Sequence, residues 1–90
     1  MPKRSKLEII QNILNIIKDN NNSIKPTPLL RKTNLSSVRF KEYYTYLINK
    51  QFIFEIEDKQ GNKRVSLTDK GYNFLSRYKS IVEFINEFEL

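Results

Sequence analysis

Residues 33–71, TNLSSVRFKEYYTYLINKQFIFEIEDKQGNKRVSLTDKG, constrain this chain more than any other segment. Phe40, Tyr43, Tyr44 and Leu47 recur at helical spacing, with Val38, Glu42, Thr45 and Asn49 on the opposite side, so a helix is predicted from about Ser37 to Lys50. Phe52, Phe54 and Ile56 then alternate with Ile53, Glu55 and Glu57, the period of a strand. Asp58-Lys59-Gln60-Gly61-Asn62 is turn chemistry, and Val65 and Leu67 alternate on the way back. Thr68 can cap a second helix, with Asp69 well placed on its positive end. Few architectures accept a helix, a basic hairpin and a helix with so little linker.

The flanking segments complete the order. Ser5 and Glu8 form a capping box ahead of Leu7, Ile10, Ile13, Leu14 and Ile17, which predicts a first helix. It ends in Asp19-Asn20-Asn21-Asn22, residues that favour turns and left-handed backbone. Ser23-Ile24-Lys25 can add a short edge strand. Thr27 as cap and Pro28 at the first helical position predict a second helix, barely two turns long, stopping near Thr33-Asn34. Ser36 caps the helix that follows.

A short helix, a tight turn and a longer helix make a helix-turn-helix. With the hairpin behind it, the predicted fold is α+β: a winged helix-turn-helix of three helices and a β-hairpin wing, followed by a C-terminal helix. In such an arrangement the start of the third helix reaches base edges in the major groove. Ser37, Val38, Arg39, Lys41 and Thr45 are therefore the candidate DNA-reading residues, with Glu42 among them. Lys59, Lys63 and Arg64, at or beside the hairpin tip, are the candidates for gripping the backbone. Lys3, Arg4 and Lys6 read equally well as a phosphate-seeking arm or an ordinary basic terminus. Tyr43 and Tyr44 lie on the core stripe, which leaves Tyr46 as the tyrosine placed to touch a ligand.

Charge supports a polyanionic partner. The 90 residues carry 16 Lys and Arg against 10 Asp and Glu, a formal charge of +6. The distribution is uneven. Residues 1–79 hold every basic residue and a charge of +9, whereas Glu83, Glu87 and Glu89 leave the last eleven residues at −3.

The last helix carries a heptad seam. Gly71, Phe74, Tyr78, Ile81, Ile85 and Phe88 are spaced 3, 4, 3, 4, 3, with Leu75 and Val82 widening the seam and Phe84 outside it. A chain of this length builds a thin core, so self-association would supplement it. The expected division is a DNA-binding domain at 1–67 and a dimerising helix at 68–90. Phe74, Tyr78, Ile81, Ile85 and Phe88 form its interface.

Three segments carry a resemblance: KLEIIQNIL at 6–14, TNLSSVRFKEYYTYL at 33–47 and SLTDKGYNFLSRY at 66–78. In this order they resemble the archaeal winged-helix DNA-binding proteins that dimerise through a C-terminal helix, both ArnR-like regulators and small chromatin-associated proteins. The turn Leu67-Thr68-Asp69-Lys70-Gly71 is the most recognisable piece. Relatives commonly place Gly after the recognition helix, where this chain has Gln51. The resemblance implies a homodimer on double-stranded DNA, a role in transcription or chromatin, and a cytoplasmic, nucleoid-associated location.

Other functions find less support. The chain has no Cys and no His, two scattered Gly and no phosphate-cradling loop, which argues against an enzyme, a metal site or a cofactor. Glu55, Glu57 and Asp58 cluster on the hairpin without an evident partner. No membrane span is expected, no apolar run approaching the roughly 20 residues one needs, and no small-molecule ligand is evident. The alternative from another class is a protein-interaction module that uses the same surface without DNA.

Overall fold

A computed structural model describes residues 5–90. The order is α1 (Lys6–Asp19), α2 (Pro26–Thr33), α3 (Ser37–Asn49), β1 (Ile53–Glu57), β2 (Lys63–Leu67) and α4 (Asp69–Glu87). The α+β arrangement of three helices, a hairpin and a long last helix is as expected.

Each helix starts where its cap dictates, with one exception. The Ser5 hydroxyl accepts from the Glu8 backbone N–H at 3.1 Å, and it donates to the Glu8 carboxylate at 3.2 Å. Ser36 accepts from the Arg39 N–H at 3.2 Å and starts α3. Thr68 accepts from the Gly71 N–H at 3.1 Å and starts α4. The exception is α2, which begins at Pro26 with Lys25 as its cap residue, two residues ahead of the predicted start at Pro28. Both prolines suit a first turn, whose N–H groups lack helical partners anyway. The Lys25 carbonyl already accepts from the Leu29 N–H, which settles the matter.

Left-handed residues end the helices. Asn21 and Asn22 follow α1 at φ 60° and 55°, and Asn34 follows α2 at 60°. The Asn22 side chain then accepts from the Leu67 N–H at 2.7 Å, tying the end of α1 to β2. After α3 the left-handed position falls to Gln51, at φ 63°. The Gln51 N–H donates to Ile48 and the Phe52 N–H to Leu47, both at 3.0 Å, the paired bonds of a Schellman ending. Here glutamine takes the place that glycine normally fills.

Strands β1 and β2 pair antiparallel, Ile53 opposite Leu67 and Glu57 opposite Lys63. Ile24 adds a bridge to Val65, so the expected edge strand exists as a single residue pair. The alternation divides the hairpin differently from its hydrophobicity. Ile53, Val65 and Leu67 are buried, while Phe54 and Ile56 are exposed on the other face.

Helix α1 is the centre of the molecule, packing on α2, α4 and β2. It contributes Ile9, Ile10, Ile13, Leu14 and Ile17 to a core completed by Ile24, Leu29, Phe40, Leu47, Ile53, Val65, Leu67 and Leu75. Leu7, expected on this face, is exposed, and Ile9 is buried instead. Full burial of such side chains is worth about 1.5–3 kcal/mol each.

Gly71 shows why the turn into α4 needs its glycine. A Cβ there would collide with the Phe52 carbonyl oxygen. The first turn of α4 thus meets the link between α3 and β1 at backbone distance. Beyond Leu75 no residue of α4 is buried, and the molecule measures 50 × 29 × 21 Å.

Candidate nucleic-acid interface

Helix α3 is held from behind by buried Phe40 and Leu47. That packing leaves Ser37, Val38, Arg39, Lys41, Glu42 and Thr45 exposed together on the opposite side. Val38 is 70% exposed, far more than a valine placed for packing. The predicted reading residues are therefore gathered on one accessible surface, and the Ser36 cap fixes where that surface begins.

A hydroxyl–carboxylate contact fixes the hairpin relative to α3. The Tyr44 hydroxyl donates to Glu55 on β1. Burial raises the Tyr44 pKa well above its ordinary value, and the Glu55 hydrogen bond and charge add to the effect. Glu55 also pairs with Lys63 at 3.7 Å. Two of the three hairpin carboxylates, Glu55 and Asp58, are thus employed, contrary to expectation. Glu55 links α3 to the wing, and Asp58 accepts from the Gln60 and Asn62 N–H groups at 2.9 Å to shape its tip.

The three wing cations have different circumstances. Lys59 stands exposed at the tip. Lys63 leans on Glu55, but remains over half exposed. Arg64 is half-buried and turned to the chain before α2. Its Nε donates to the Ser23 hydroxyl at 2.6 Å, and its terminal nitrogen donates to the Ser23 carbonyl at 3.2 Å. That guanidinium anchors the sheet edge.

Three exposed basic residues, Arg31, Lys32 and Lys50, escaped the sequence reading. Arg31 and Lys32 lie exposed in the last turn of α2, the helix that crosses the backbone in helix-turn-helix complexes. Two consecutive bases just before the turn were the available signal. Lys6 lies 4.2 Å above the Tyr46 ring and Lys50 5.7 Å from it, a grouping that no sequence spacing reveals. Lys3 and Arg4 lie outside the described residues.

The predicted seam of α4 divides in two. Phe74 and Tyr78 are half-buried against their own chain, Phe74 lying between a tilted Phe52 at 5.3 Å and a stacked Tyr78 at 6.0 Å. Ile81, Ile85 and Phe88 are 57, 40 and 58% exposed. Phe84 contacts Phe88 at 4.9 Å, and both are open to solvent.

The family described as winged helix-turn-helix matches residues 3–86, nearly the whole chain. The chain belongs to that family. Such proteins are typically non-enzymatic DNA binders. Among solved structures, the chain is similar to MepR, a transcription regulator of the Staphylococcus aureus multidrug efflux pump MepA, at TM-score 0.77 and 15% identity. That match covers 89% of this chain but only 60% of MepR. F93 from STIV, a winged-helix DNA-binding protein, matches at TM-score 0.73 and 18% identity, over 90% of this chain and 92% of F93. Sso10a-2, a DNA-binding protein from Sulfolobus solfataricus, matches at TM-score 0.74 and 15% identity, over 96% and 86%. At these identities the likeness is one of fold. No sequence among the curated proteins matches the chain. Among the described residues no helix is long and apolar enough to cross a membrane.

Proposed function

We propose that the protein binds double-stranded DNA as a homodimer and acts as a transcriptional regulator or as an architectural component of the nucleoid. The observation that carries this reading is the exposed face of α3, which bears Arg39 and Lys41, together with the Tyr44–Glu55 bond that ties to this helix the hairpin bearing Lys59 and Lys63. In the bound state Ser37, Val38, Arg39, Lys41 and Thr45 enter the major groove. Arg39 suits guanine O6 and N7, and Val38 suits a thymine methyl. Lys59 and Lys63 hold the flanking backbone, while Arg64 keeps the sheet edge on Ser23. Helix α4 supplies the dimer contact through Ile81, Ile85 and Phe88, because an apolar cluster of that size calls for cover.

Selection of bound fragments from a random duplex library, followed by affinity against salt, tests the reading. Replacing both Arg39 and Lys41 with Ala is expected to weaken binding and alter the selected sequences. Replacing Lys59 and Lys63 with Ala is expected to weaken all duplexes alike and flatten the salt slope by about 1 to 2 units. Enriched sites indicate a regulator, and uniform recovery an architectural protein. Paired protections about 10 or 20 base pairs apart are expected for a dimer on one duplex. Absence of duplex binding at low salt would refute the proposal and favour a protein partner.

A further inference from the structure

We propose that a cleft between the first turn of α1 and the flank of α3 is an additional seat for a DNA backbone phosphate, with Lys6 as its principal contact. This rests on the duplex-binding reading and brings into the interface a helix that otherwise serves only the core. The cleft measures about 250 Å³ and is lined by Lys6, Arg39, Glu42, Tyr43 and Tyr46. Its cations are laid on its rings. The Lys6 ammonium is 4.2 Å from the Tyr46 centroid, and the Arg39 guanidinium is 6.0 Å from that of Tyr43. A second ammonium, that of Lys50, lies 5.7 Å from the Tyr46 ring.

The rings are half-buried and therefore fixed, whereas Lys6 and Arg39 are exposed. A long cation resting on a fixed ring has already lost part of the freedom that a contact would otherwise remove. Its charge stays available to an anion arriving from solvent. Among the described residues, three cations against the single carboxylate of Glu42 give the cleft and its rim a positive balance, and both tyrosines bring hydroxyl donors. Glu42 opposes small free anions. The seat therefore works as one contact among several on a polyanion, which points to duplex backbone. Its position beside Arg39 places that phosphate next to the groove α3 would occupy.

The test compares two lysines at opposite ends of one helix. Lys6→Gln and Lys18→Gln remove the same charge from exposed positions of α1, but only Lys6 adjoins α3. Affinity of the full chain for one duplex is measured from low to moderate salt. Lys6→Gln is expected to lower the salt slope by about 0.9 unit. Lys6→Arg is expected to restore it, and Lys18→Gln to leave it unchanged. If the two Gln variants behaved alike while the wild-type chain bound DNA steeply, the cleft would be no phosphate seat, and the α3 reading would stand. A wild-type chain without duplex affinity would remove both.

Discussion

The body of the molecule and the end of α4 obey opposite rules. From Ile9 to Leu75 nearly every aliphatic core position is occupied, with Ile13, Leu14, Ile17, Leu29, Leu47 and Val65 at 0% exposure. After Leu75 the same helix presents Ile81, Val82, Phe84, Ile85 and Phe88 to solvent. The body satisfies its apolar surface within one chain. The helix end is similarly apolar and finds no cover there, which is why the proposed dimer contact is placed on it. Charge follows the same division, basic in the body and acidic at the tip. The buried core and the uncovered apolar surface thus reside in different stretches of a single polypeptide.

The largest effects are expected where this contrast is attacked directly. Leu14→Ala or Leu47→Ala should cost about 2–5 kcal/mol by chemical denaturation, at any protein concentration. Replacing Ile81 and Ile85 with Glu should leave the α-helical content of the body intact. It should also convert a dimer to a monomer by sedimentation and abolish the concentration dependence of Tm. If the wild-type chain sediments as a monomer at micromolar concentration, the helix end is no interface and the contrast loses its meaning.

Gly71 lies at the joint between the two regions. Alanine is the better helix former by about 0.5–1 kcal/mol. Against this, its Cβ would meet the Phe52 carbonyl, which belongs to backbone and cannot swing aside. Overpacking costs about 1–3 kcal/mol, so a net loss is expected for Gly71→Ala, read as a lowered denaturation midpoint. A neutral or stabilising result would mean that α4 can lift from the body.

A pH experiment isolates the contact between α3 and the wing. The Tyr44 pKa is raised in the fold, first by burial and then by Glu55. A raised value contributes stability that is complete below the unfolded pKa of about 10 and declines as pH climbs toward the folded value. The wild-type Tm should therefore fall more steeply above pH 10 than that of Tyr44→Phe. Parallel curves would show that the hydroxyl does not keep its proton on Glu55.

Much of this was legible from local chemistry. Ser5, Ser36 and Thr68 announced three helix starts because a cap needs only its own next turn. The asparagine run announced left-handed backbone for the same reason. What stayed hidden depends on distant partners. Phe54 and Ile56 look like core by composition, yet the pairing of Ile53 with Leu67 turns them outward. Glu55 looked idle because Tyr44 lies eleven residues away. Arg64 looked like a free wing cation because Ser23 precedes it by 41 residues. The seam of α4 was visible, but not its division at Tyr78. Phe52, against which Phe74 packs, comes from before the wing.

The smallest expected effect concerns Gln51, where the body itself departs from its own good packing. The residue sits at φ 63° so that Gln51 and Phe52 can return their N–H groups to Ile48 and Leu47. A side chain in left-handed backbone meets a steric penalty of roughly 1–2 kcal/mol that glycine avoids. Glycine is also freer in the unfolded chain, which takes back part of the gain. The Gln51 side chain is exposed, so little packing is lost by removing it. Its carbonyl, which accepts from the Thr68 hydroxyl at 2.5 Å, is kept in either residue. Gln51→Gly should therefore stabilise the protein by about 0.5–1 kcal/mol, seen as a higher denaturation midpoint at unchanged m-value. Gln51→Ala, which retains the Cβ, should give no such gain. A gain from both would assign the effect to the loss of the glutamine side chain rather than to relief of the turn.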